Sequence, residues 1–163
     1  MLISHTTQCF SKTRWLLLLV IFAISLSLSA DENYYKWKAQ DFAIEQSLGD
    51  IKGDANRGRK LVMQRDKGNC LACHAMPIKE EAFHGTFGPP LQGIASRLTP
   101  GQIRLRIVNQ QSINPLTVMP SFYQNPLEVN RIAEDYIGKT ILTAQEVEDV
   151  VAYLSTLKQE VQP

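Results

Sequence analysis

The sequence predicts an all-α domain with an extended arm at its N-terminus. Three segments support this prediction, because each begins with a helix-capping residue and continues with apolar residues at helical spacing; they start at Asp54, Thr99 and Thr143. No stretch shows the alternation of apolar and polar residues that is typical of a strand. A chain of 163 residues suffices for one domain with extensions.

The first 30 residues have the features of a secretory signal peptide. Lys12 and Arg14 precede an apolar run from Trp15 to Leu28, and Ala30 offers a small residue for cleavage. An uncleaved membrane anchor is the alternative, but this run of 14 residues is shorter than the roughly 20 that a membrane-spanning helix needs. We therefore expect cleavage after Ala30 and a periplasmic mature protein.

The charge of the mature chain is nearly balanced. Cleavage removes Lys12 and Arg14 but no acidic residue, which leaves 133 residues with 15 Lys and Arg against 16 Asp and Glu. The formal charge changes from +1 to −1, so it favours neither nucleic acid nor a membrane surface as partner. Cys9 is also lost, and Cys70 and Cys73 are then the only cysteines.

Residues 31–52 show no sustained period, and we interpret them as an extended arm. The segment Tyr34-Tyr35-Lys36-Trp37 holds three aromatic residues in four positions. Aromatic side chains usually pack against other groups, so an arm laid on the domain or on a partner is favoured over a mobile tail. The domain is expected over residues 53–158, with a tail at 159–163.

The first predicted helix follows Gly53-Asp54, with Asp54 as N-cap. Strong helix formers run to Arg65, and Lys67-Gly68 is expected to end the helix. Gly58 in its middle costs about 0.5–1 kcal/mol relative to alanine, so we expect a second helix to approach it closely. The helix is locally basic, which indicates a solvated face or a docking patch made of Arg57, Arg59, Lys60, Arg65 and Lys67.

The second predicted helix begins at Thr99-Pro100, as N-cap and first helical residue, and runs to about Val108. Its inward residues are expected to be Ile103, Ile107 and Val108, with Arg104 and Arg106 pointing elsewhere. A weaker pattern over 127–137 allows a short helix with Ile132, Tyr136 and Ile137 as its apolar residues.

The last predicted helix starts with a capping box formed by Thr143 and Glu146. Its apolar residues recur at helical spacing and are expected in the core: Val147, Val150, Val151, Leu154 and Leu157. Glu146, Glu148 and Asp149 lie near the helix start, where negative charge is favourable.

The segment Cys70-Leu71-Ala72-Cys73-His74 is a C-x-x-C-H motif, the attachment signature of a c-type haem. Two thiols three positions apart can each add to one vinyl group of a haem edge, and the adjacent imidazole then faces the iron. We therefore predict one covalently bound haem c, with Cys70 and Cys73 as its anchors and His74 as the proximal iron ligand.

Other uses of the two cysteines fit less well. A disulfide between them would close a tiny loop and stabilise little. A structural zinc site needs four ligands, and the mature chain offers only Cys70, Cys73, His74 and His84, two of which are adjacent. A thioredoxin-like dithiol would need a βαβ pattern around it, which is not present.

The sixth ligand of such an iron has four candidates: Met63, Met76, His84 and Met119. Met76 is too close to His74 to reach around the ring, and Met63 occupies a helix position that is more typical of packing. His84 follows His74 by only ten residues, so it would stay on the proximal side. Met119 lies 45 residues beyond His74 in a loop stiffened by two prolines, and we predict it as the ligand, with core packing as the alternative.

The order of these parts resembles a class I cytochrome c over residues 53–158. The shared features are the first helix, the C-x-x-C-H motif, Gly88-Pro89-x-Leu91-x-Gly93, Met119-Pro120 and Ala152-Tyr153-Leu154. The resemblance implies that the first and last helices cross, with Gly58 under Tyr153. It also implies that the Pro89 carbonyl accepts the Nδ1 proton of His74, although Pro90 departs from the commonest form of this loop.

A narrower resemblance is to SoxX, the monohaem subunit of the SoxAX complex of bacterial thiosulfate oxidation. It rests on Lys67-Gly68-Asn69, Ala75-Met76-Pro77-Ile78, Phe83-His84-Gly85, Asn114-Pro115 and the segment from Ile141 to Leu154. It implies a heterodimer with a SoxA-like cytochrome of one or two haems, where thiosulfate is joined to a cysteine of the carrier SoxY. This chain would be the electron-transfer subunit of that L-cysteine S-thiosulfotransferase complex and would pass electrons to a soluble cytochrome c.

Two rival functions remain open at this stage. A free-standing periplasmic electron shuttle would share every motif of residues 53–158, but it would not need the aromatic arm at 34–37 or the loop at 75–87. If the chain is a subunit, one or both of these segments are expected to contact the partner. A gas sensor would need an open sixth position, which a rigid loop around Met119 disfavours.

Overall fold

Three α-helices form the frame of the domain: α1 over Ala55–Met63, α2 over Pro100–Asn109 and α3 over Ala144–Leu154. The computed structural model describes residues 34–129 and 133–159. Short 3-10 turns lie between the helices and beside them, at Leu48–Asp50, Cys70–Ala72, Ile94–Ser96, Gln110–Ser112 and Glu134–Tyr136. Within the two described ranges the only β structure is an isolated bridge between Gln40 and Ala43. The predicted all-α class is confirmed.

The predicted signal peptide, residues 1–30, lies outside the described residues, as do residues 160–163 of the predicted tail. In the part of the chain that is described, no helix is both long enough and apolar enough to span a membrane.

α1 and α3 pack against each other through a glycine. A Cβ on Gly58 would overlap the backbone carbonyl of Asp149 and would lie 2.9 Å from the Cβ of Tyr153. The crossing of the first and last helices, with Gly58 under Tyr153, is therefore confirmed. The N-cap of α1 is also as predicted, because the Asp54 carboxylate accepts the N–H groups of Asn56 and Arg57 at 2.8 and 3.0 Å.

α1 is shorter than the sequence predicts. It ends at Met63, and Gln64 already has extended backbone angles, φ −73° and ψ 122°; the predicted end at Lys67-Gly68 is wrong. The Asn69 N–H donates to the Gln64 carbonyl at 3.0 Å, which closes the turn that leads into Cys70. The need to turn the chain at this point outweighs the helix propensity of the residues that follow Met63.

α2 begins with the predicted cap, and Thr99 and Gln102 form a capping box. Its predicted inward residues Ile103, Ile107 and Val108 are buried. The expectation that Arg104 points away from the core is wrong, because this side chain is buried as well.

A buried ion pair explains the position of Arg104. Its Nε lies 2.8 Å from Glu148 Oε1, and its Nη2 lies 2.8 Å from Glu148 Oε2. Glu148 is therefore an internal partner on α3 and not simply a charge near the helix start. Asp149 also has an internal partner, because its carboxylate oxygens accept from Nε and Nη2 of Arg57 on α1 at 2.6 and 2.8 Å.

α3 starts as predicted, since Thr143 and Glu146 form the expected capping box. Its apolar residues Val147, Val150, Val151 and Leu154 are buried, and Leu157 packs on the core just beyond the helix. The weaker helix pattern over 127–137 yields only the 3-10 turn Glu134–Tyr136; Ile132 lies outside the described residues, and Ile137 is exposed.

The arm lies on the domain. Ala43, Ile44 and Leu48 are buried, and the Ile44 N–H donates to the Gly101 carbonyl at the start of α2 at 3.0 Å. Tyr34 stacks on Tyr123 with ring centroids 5.1 Å apart. Residues 34–52 are thus part of the folded domain and share its core.

The predicted basic patch on α1 is largely neutralised within the chain. Arg57 pairs with Asp149, Arg59 pairs with Glu80, and Lys67 lies 2.9 Å from Glu146. Three of the five basic groups therefore serve internal contacts, which weakens the docking interpretation in favour of the structural one.

Candidate functional site

The C-x-x-C-H motif is folded into a tight turn. Asn69 enters it in the left-handed region with φ 44°, and Cys70–Ala72 form a 3-10 turn. The N–H groups of Cys73 and His74 donate to the Cys70 carbonyl at 3.2 and 2.9 Å. Both thiols are free, with Cys70 half-buried and Cys73 exposed.

The thiol of Cys70 does not have the environment of a catalytic cysteine. Burial raises the pKa of Cys70 to about 11, so the free polypeptide carries a neutral thiol there at neutral pH. Reactive cysteines have lowered pKa values, because only the thiolate attacks. Cys70 therefore lacks the lowered pKa that is typical of a catalytic cysteine.

A second segment, residues 85–91, is laid against the motif by backbone hydrogen bonds. We call it the Pro89 loop. The N–H of Gly85 donates to the Leu71 carbonyl at 2.8 Å, and the N–H of Gly88 donates to the Cys73 carbonyl at 2.8 Å. A Cβ on Gly88 would lie 2.6 Å from Nδ1 of His74, so only glycine lets the loop lie against the imidazole.

The Pro89 loop orients His74. The Nδ1 of His74 lies 2.7 Å from the Pro89 carbonyl oxygen, and because a carbonyl only accepts, Nδ1 carries the proton and donates it. In the neutral imidazole Nε2 is then the unprotonated nitrogen, and this is the form that a haem iron binds. The adjacent Pro90 does not prevent this contact.

Sequence reasoning missed one residue that supports this loop. Arg97 donates from Nη2 to the Pro90 carbonyl at 3.2 Å and from Nη1 to the Gln92 carbonyl at 3.3 Å. No motif or period in the sequence links Arg97 to these carbonyls, because the contact arises only when the chain turns back at Ile94–Ser96.

Met119 lies in a third segment, residues 114–120, which we call the Met119 loop. The Met119 N–H donates to the Thr117 hydroxyl at 3.2 Å, and the Met119 side chain is half-buried at the edge of the core. Hydrogen bonds thus bring Pro89 to His74, whereas Met119 is fixed by contacts within its own loop and with the core.

The other three ligand candidates have packing environments. Met76 is buried in the core and Met63 packs beside it. His84 accepts the Met76 N–H on Nδ1 at 3.2 Å, and its Nε2 is buried without a hydrogen-bond partner among the described residues. These contacts account for Met76 and His84, whereas Met63, like Met119, is half-buried against the core. Ligation of the iron by Met119 stays a prediction.

Large apolar side chains are exposed on the Pro89 loop and on the Met119 loop. Phe87 of the Pro89 loop is 75% exposed, and Leu116 and Val118 of the Met119 loop are 91% and 71% exposed. Side chains of this size usually gain free energy by being covered. Together with exposed Cys73 and the His74 imidazole, they suit a flat apolar group of porphyrin size.

A dedicated multi-ligand metal site is not present in the described part of the chain. Over residues 34–129 and 133–159, no three or more His, Cys, Asp or Glu side chains converge as metal ligands. The cysteines and His74 instead stand side by side on one turn, an arrangement that suits attachment to the edge of a macrocycle.

Comparison with known proteins agrees with this geometry. A family model described as cytochrome c matches residues 55–158. The chain belongs to the cytochrome c family. The predicted class I cytochrome c fold is confirmed, and family membership supports a haem c cofactor.

A solved structure narrows the relationship. The chain is similar to a chain of the crystal structure of SoxXA from P. pantotrophus, with 34% sequence identity and a TM-score of 0.68. The match covers 76% of this chain and 95% of that chain. No curated protein matches. The protein is thus a SoxX-like electron-transfer cytochrome, as the sequence motifs predict.

Proposed function

We propose that this SoxX-like cytochrome is the monohaem electron-transfer subunit of a SoxAX-type complex in the periplasm. The observation that carries the proposal is the His74 imidazole, whose Nδ1 is held 2.7 Å from the Pro89 carbonyl on the turn that also bears both cysteines. This contact fixes the tautomer and the ring orientation of a proximal ligand. A haem held there would supply reversible one-electron exchange.

Each site residue has a distinct role in the proposal. Cys70 and Cys73 anchor the haem through thioethers, and His74 and Met119 are its iron ligands. Histidine and methionine together raise the reduction potential, which suits an electron acceptor. The carbonyl of Pro89 holds His74. The Pro89 loop and the Met119 loop would shield the two faces of the haem from water.

The chain contributes no catalytic nucleophile in this proposal, because both mature cysteines are used for attachment. The oxidative joining of thiosulfate to a SoxY cysteine takes place on the SoxA-like partner. This subunit accepts the released electrons and passes them to a soluble cytochrome c. The similarity to a chain from a SoxXA crystal structure supports this assignment.

The loop at 75–87 is the more suitable of the two segments for the partner interface. The aromatic segment 34–37 of the arm uses Tyr34 and Trp37 within its own domain, where both pack against the core, although Phe42 further along the arm is 67% exposed. On the loop, by contrast, Phe83 is 92% exposed, and Glu80 pairs with Arg59 of α1, which ties the loop to the frame. A fixed loop that exposes an aromatic side chain is typical of an interface.

Export through the signal peptide completes the proposal. We infer that residues 1–30 are removed after Ala30 and that the haem is attached outside the cytoplasm. Mass spectrometry of the exported protein would test both points, because the expected mass is that of residues 31–163 plus one haem. A mass that includes residues 1–30, or more than one haem, would contradict them.

The ligand assignment is tested by spectroscopy of the oxidised haem protein. We expect the parent protein to show the weak near-infrared band of a sulfur-to-iron bond. Met119→Leu should lose the band, while the matched control Met63→Leu should keep it. A parent protein without the band, or a Met119→Leu variant that retains it, would show that another side chain binds the iron.

The subunit assignment is tested by purification from the native host. We expect a second, haem-bearing polypeptide to co-purify with this chain. Recovery of the mature chain alone at every salt concentration would instead favour the free-standing shuttle.

A further inference from the structure

We propose that the N-terminal arm is a latch on the Met119 loop, with Tyr123 as the positioning residue through which it acts. The inference rests on the proposed function, in which Met119 is the sixth iron ligand. Tyr123 lies four residues beyond Met119 and is 1% exposed.

The C-terminal end of the Met119 loop is fixed at the end of α2. After Pro120, the Phe122 N–H donates to the Ile107 carbonyl at 3.1 Å, and the Phe122 carbonyl accepts the Leu142 N–H at 2.9 Å. The Ser121 hydroxyl donates to Asn109 Oδ1 at 2.9 Å. The Met119 loop is therefore tethered to the end of α2 directly beyond Pro120.

The arm contacts Tyr123, which directly follows Phe122. The Tyr123 hydroxyl accepts the backbone N–H of Tyr35 at 2.7 Å. The Tyr34 ring stacks on the Tyr123 ring at a centroid distance of 5.1 Å and an interplanar angle of 22°. Two consecutive arm residues therefore hold Tyr123 in place, one by its hydroxyl and one by its ring.

The arm itself is anchored independently of Tyr123. The Arg104 guanidinium donates to the Ile44 carbonyl at 2.6 Å, and the Leu48 N–H donates to Glu148 Oε1 at 2.9 Å. These bonds complete the hydrogen bonding of a buried ion pair, which is costly to disturb. The arm is therefore held on the domain at Ile44 and Leu48, apart from the contacts that Tyr34 and Tyr35 make with Tyr123.

The latch predicts how easily an external ligand reaches the iron. A ligand such as imidazole binds only when Met119 has moved away, so its apparent affinity scales with the population of the open loop. Local openings of this kind are governed by the contacts of the segment that moves. Weakening the contact between the arm and Tyr123 should raise that population without changing the iron ligands.

The experiment is an imidazole titration of the oxidised, haem-loaded mature protein. For Tyr123→Phe we expect the association constant to rise roughly 3- to 10-fold, the range that corresponds to the loss of one hydrogen bond. Tyr34→Ala removes the half-buried ring that stacks on Tyr123, and it should also raise the association constant. Tyr136→Phe is the matched control, since its hydroxyl donates to the Asp66 carbonyl at 3.3 Å, and it should leave the constant unchanged.

The outcomes separate the latch from the proposed function. A parent protein without the sulfur-to-iron band overturns Met119 ligation, and the latch with it. A normal band with equal imidazole constants in the parent, Tyr123→Phe and Tyr34→Ala overturns the latch alone. A lower denaturation midpoint with an unchanged imidazole constant also overturns it, because Tyr123 would then be merely structural. If Tyr123→Phe does not fold, Tyr34→Ala decides the question.

Discussion

The helical frame holds charged side chains inside the protein, whereas the Pro89 and Met119 loops leave apolar side chains outside. In the frame, the Arg104–Glu148 pair is buried and its remaining groups are matched by backbone atoms of the arm. On the loops, Phe87 and Val118 are exposed. The two regions thus invert the usual distribution of polar and apolar groups.

The difference shows which region is complete in itself. A buried charge is tolerated only when its hydrogen bonds are satisfied, and the frame satisfies them from within the chain. The Pro89 loop is instead held by backbone hydrogen bonds, and the Met119 loop by contacts within itself and with the core. The exposed apolar side chains of both loops suit a cofactor that the chain binds covalently. Stability should therefore depend mainly on the frame, and redox behaviour mainly on the loops.

The largest expected effect comes from breaking the buried ion pair. Arg104→Met leaves the Glu148 carboxylate buried without its partner, and we expect the free energy of unfolding to fall by about 3–5 kcal/mol. In the double variant Arg104→Met/Glu148→Leu no charge is stranded, so the loss should be smaller, about 1–3 kcal/mol. It comes from the Leu48 N–H, which now lacks its acceptor, and from the Ile44 carbonyl, which lacks its donor. Urea denaturation of both variants measures this, and a double variant as unstable as the single one would contradict it.

A smaller effect is expected from filling the helix crossing. Gly58→Ala would push against the Asp149 carbonyl, and we expect a net loss on the order of 2 kcal/mol, since strain exceeds the gain in helix propensity. Gly88→Ala is the matched variant in the Pro89 loop. There the added methyl group meets the His74 ring, so the near-infrared and visible spectra should change more than the denaturation midpoint does. Equal loss of stability in both variants would remove the distinction between the regions.

The smallest effect concerns the cap of α1 and its dependence on pH. The N–H of Arg57, together with that of Asn56 and nearby basic charge, holds the pKa of Asp54 below its ordinary value of 3.8. Since the folded pKa is the lower one, the stabilisation is fully present above the ordinary value and is lost as the pH falls through the folded value.

Replacement of the Asp54 carboxylate should therefore lower the stability less at acidic pH than at neutral pH. We expect Asp54→Asn to be less stable than the parent at neutral pH, with the gap closing as the pH falls below 3.8. Thermal denaturation of the two proteins at pH 7 and at pH 3 would show it. A gap of the same size at both pH values would mean that the charge of Asp54 contributes nothing to the frame.

Local signals in the sequence predicted most of the frame. The caps at Asp54, Thr99 and Thr143 depend on side chains within three residues, so they are legible without a tertiary structure. The close approach of another helix to Gly58 was predictable because a glycine inside a helix lowers its stability and is favoured where space is short. The end of α1 at Met63 was not predictable, because it depends on the turn that leads the chain into Cys70.

Contacts between residues far apart in sequence were not predictable from local patterns, and the approach of Gly58 to Tyr153 was placed only by the resemblance to class I cytochromes c. Arg104 and Glu148 are 44 residues apart, and amphipathic patterning places charged residues outside by default, so both were assigned to the surface or to the helix dipole. Arg97 was missed for a different reason: its partners, Gln92 and Pro90, are near in sequence, but they come within reach only when the chain turns back at Ile94–Ser96. A buried charge has no sequence signature when its partner lies on another element.

By itself the sequence determined the chemistry of the motif: two cysteines and a histidine at fixed spacing define an attachment turn whatever surrounds them. The tertiary structure decided how that turn is held. It brings the Pro89 carbonyl to His74, sets the arm against Tyr123 beyond the Met119 loop, and completes the Arg104–Glu148 pair. The physical reason is range, because spacing along the chain fixes local geometry, while hydrogen bonds between distant segments exist only once the helices have packed.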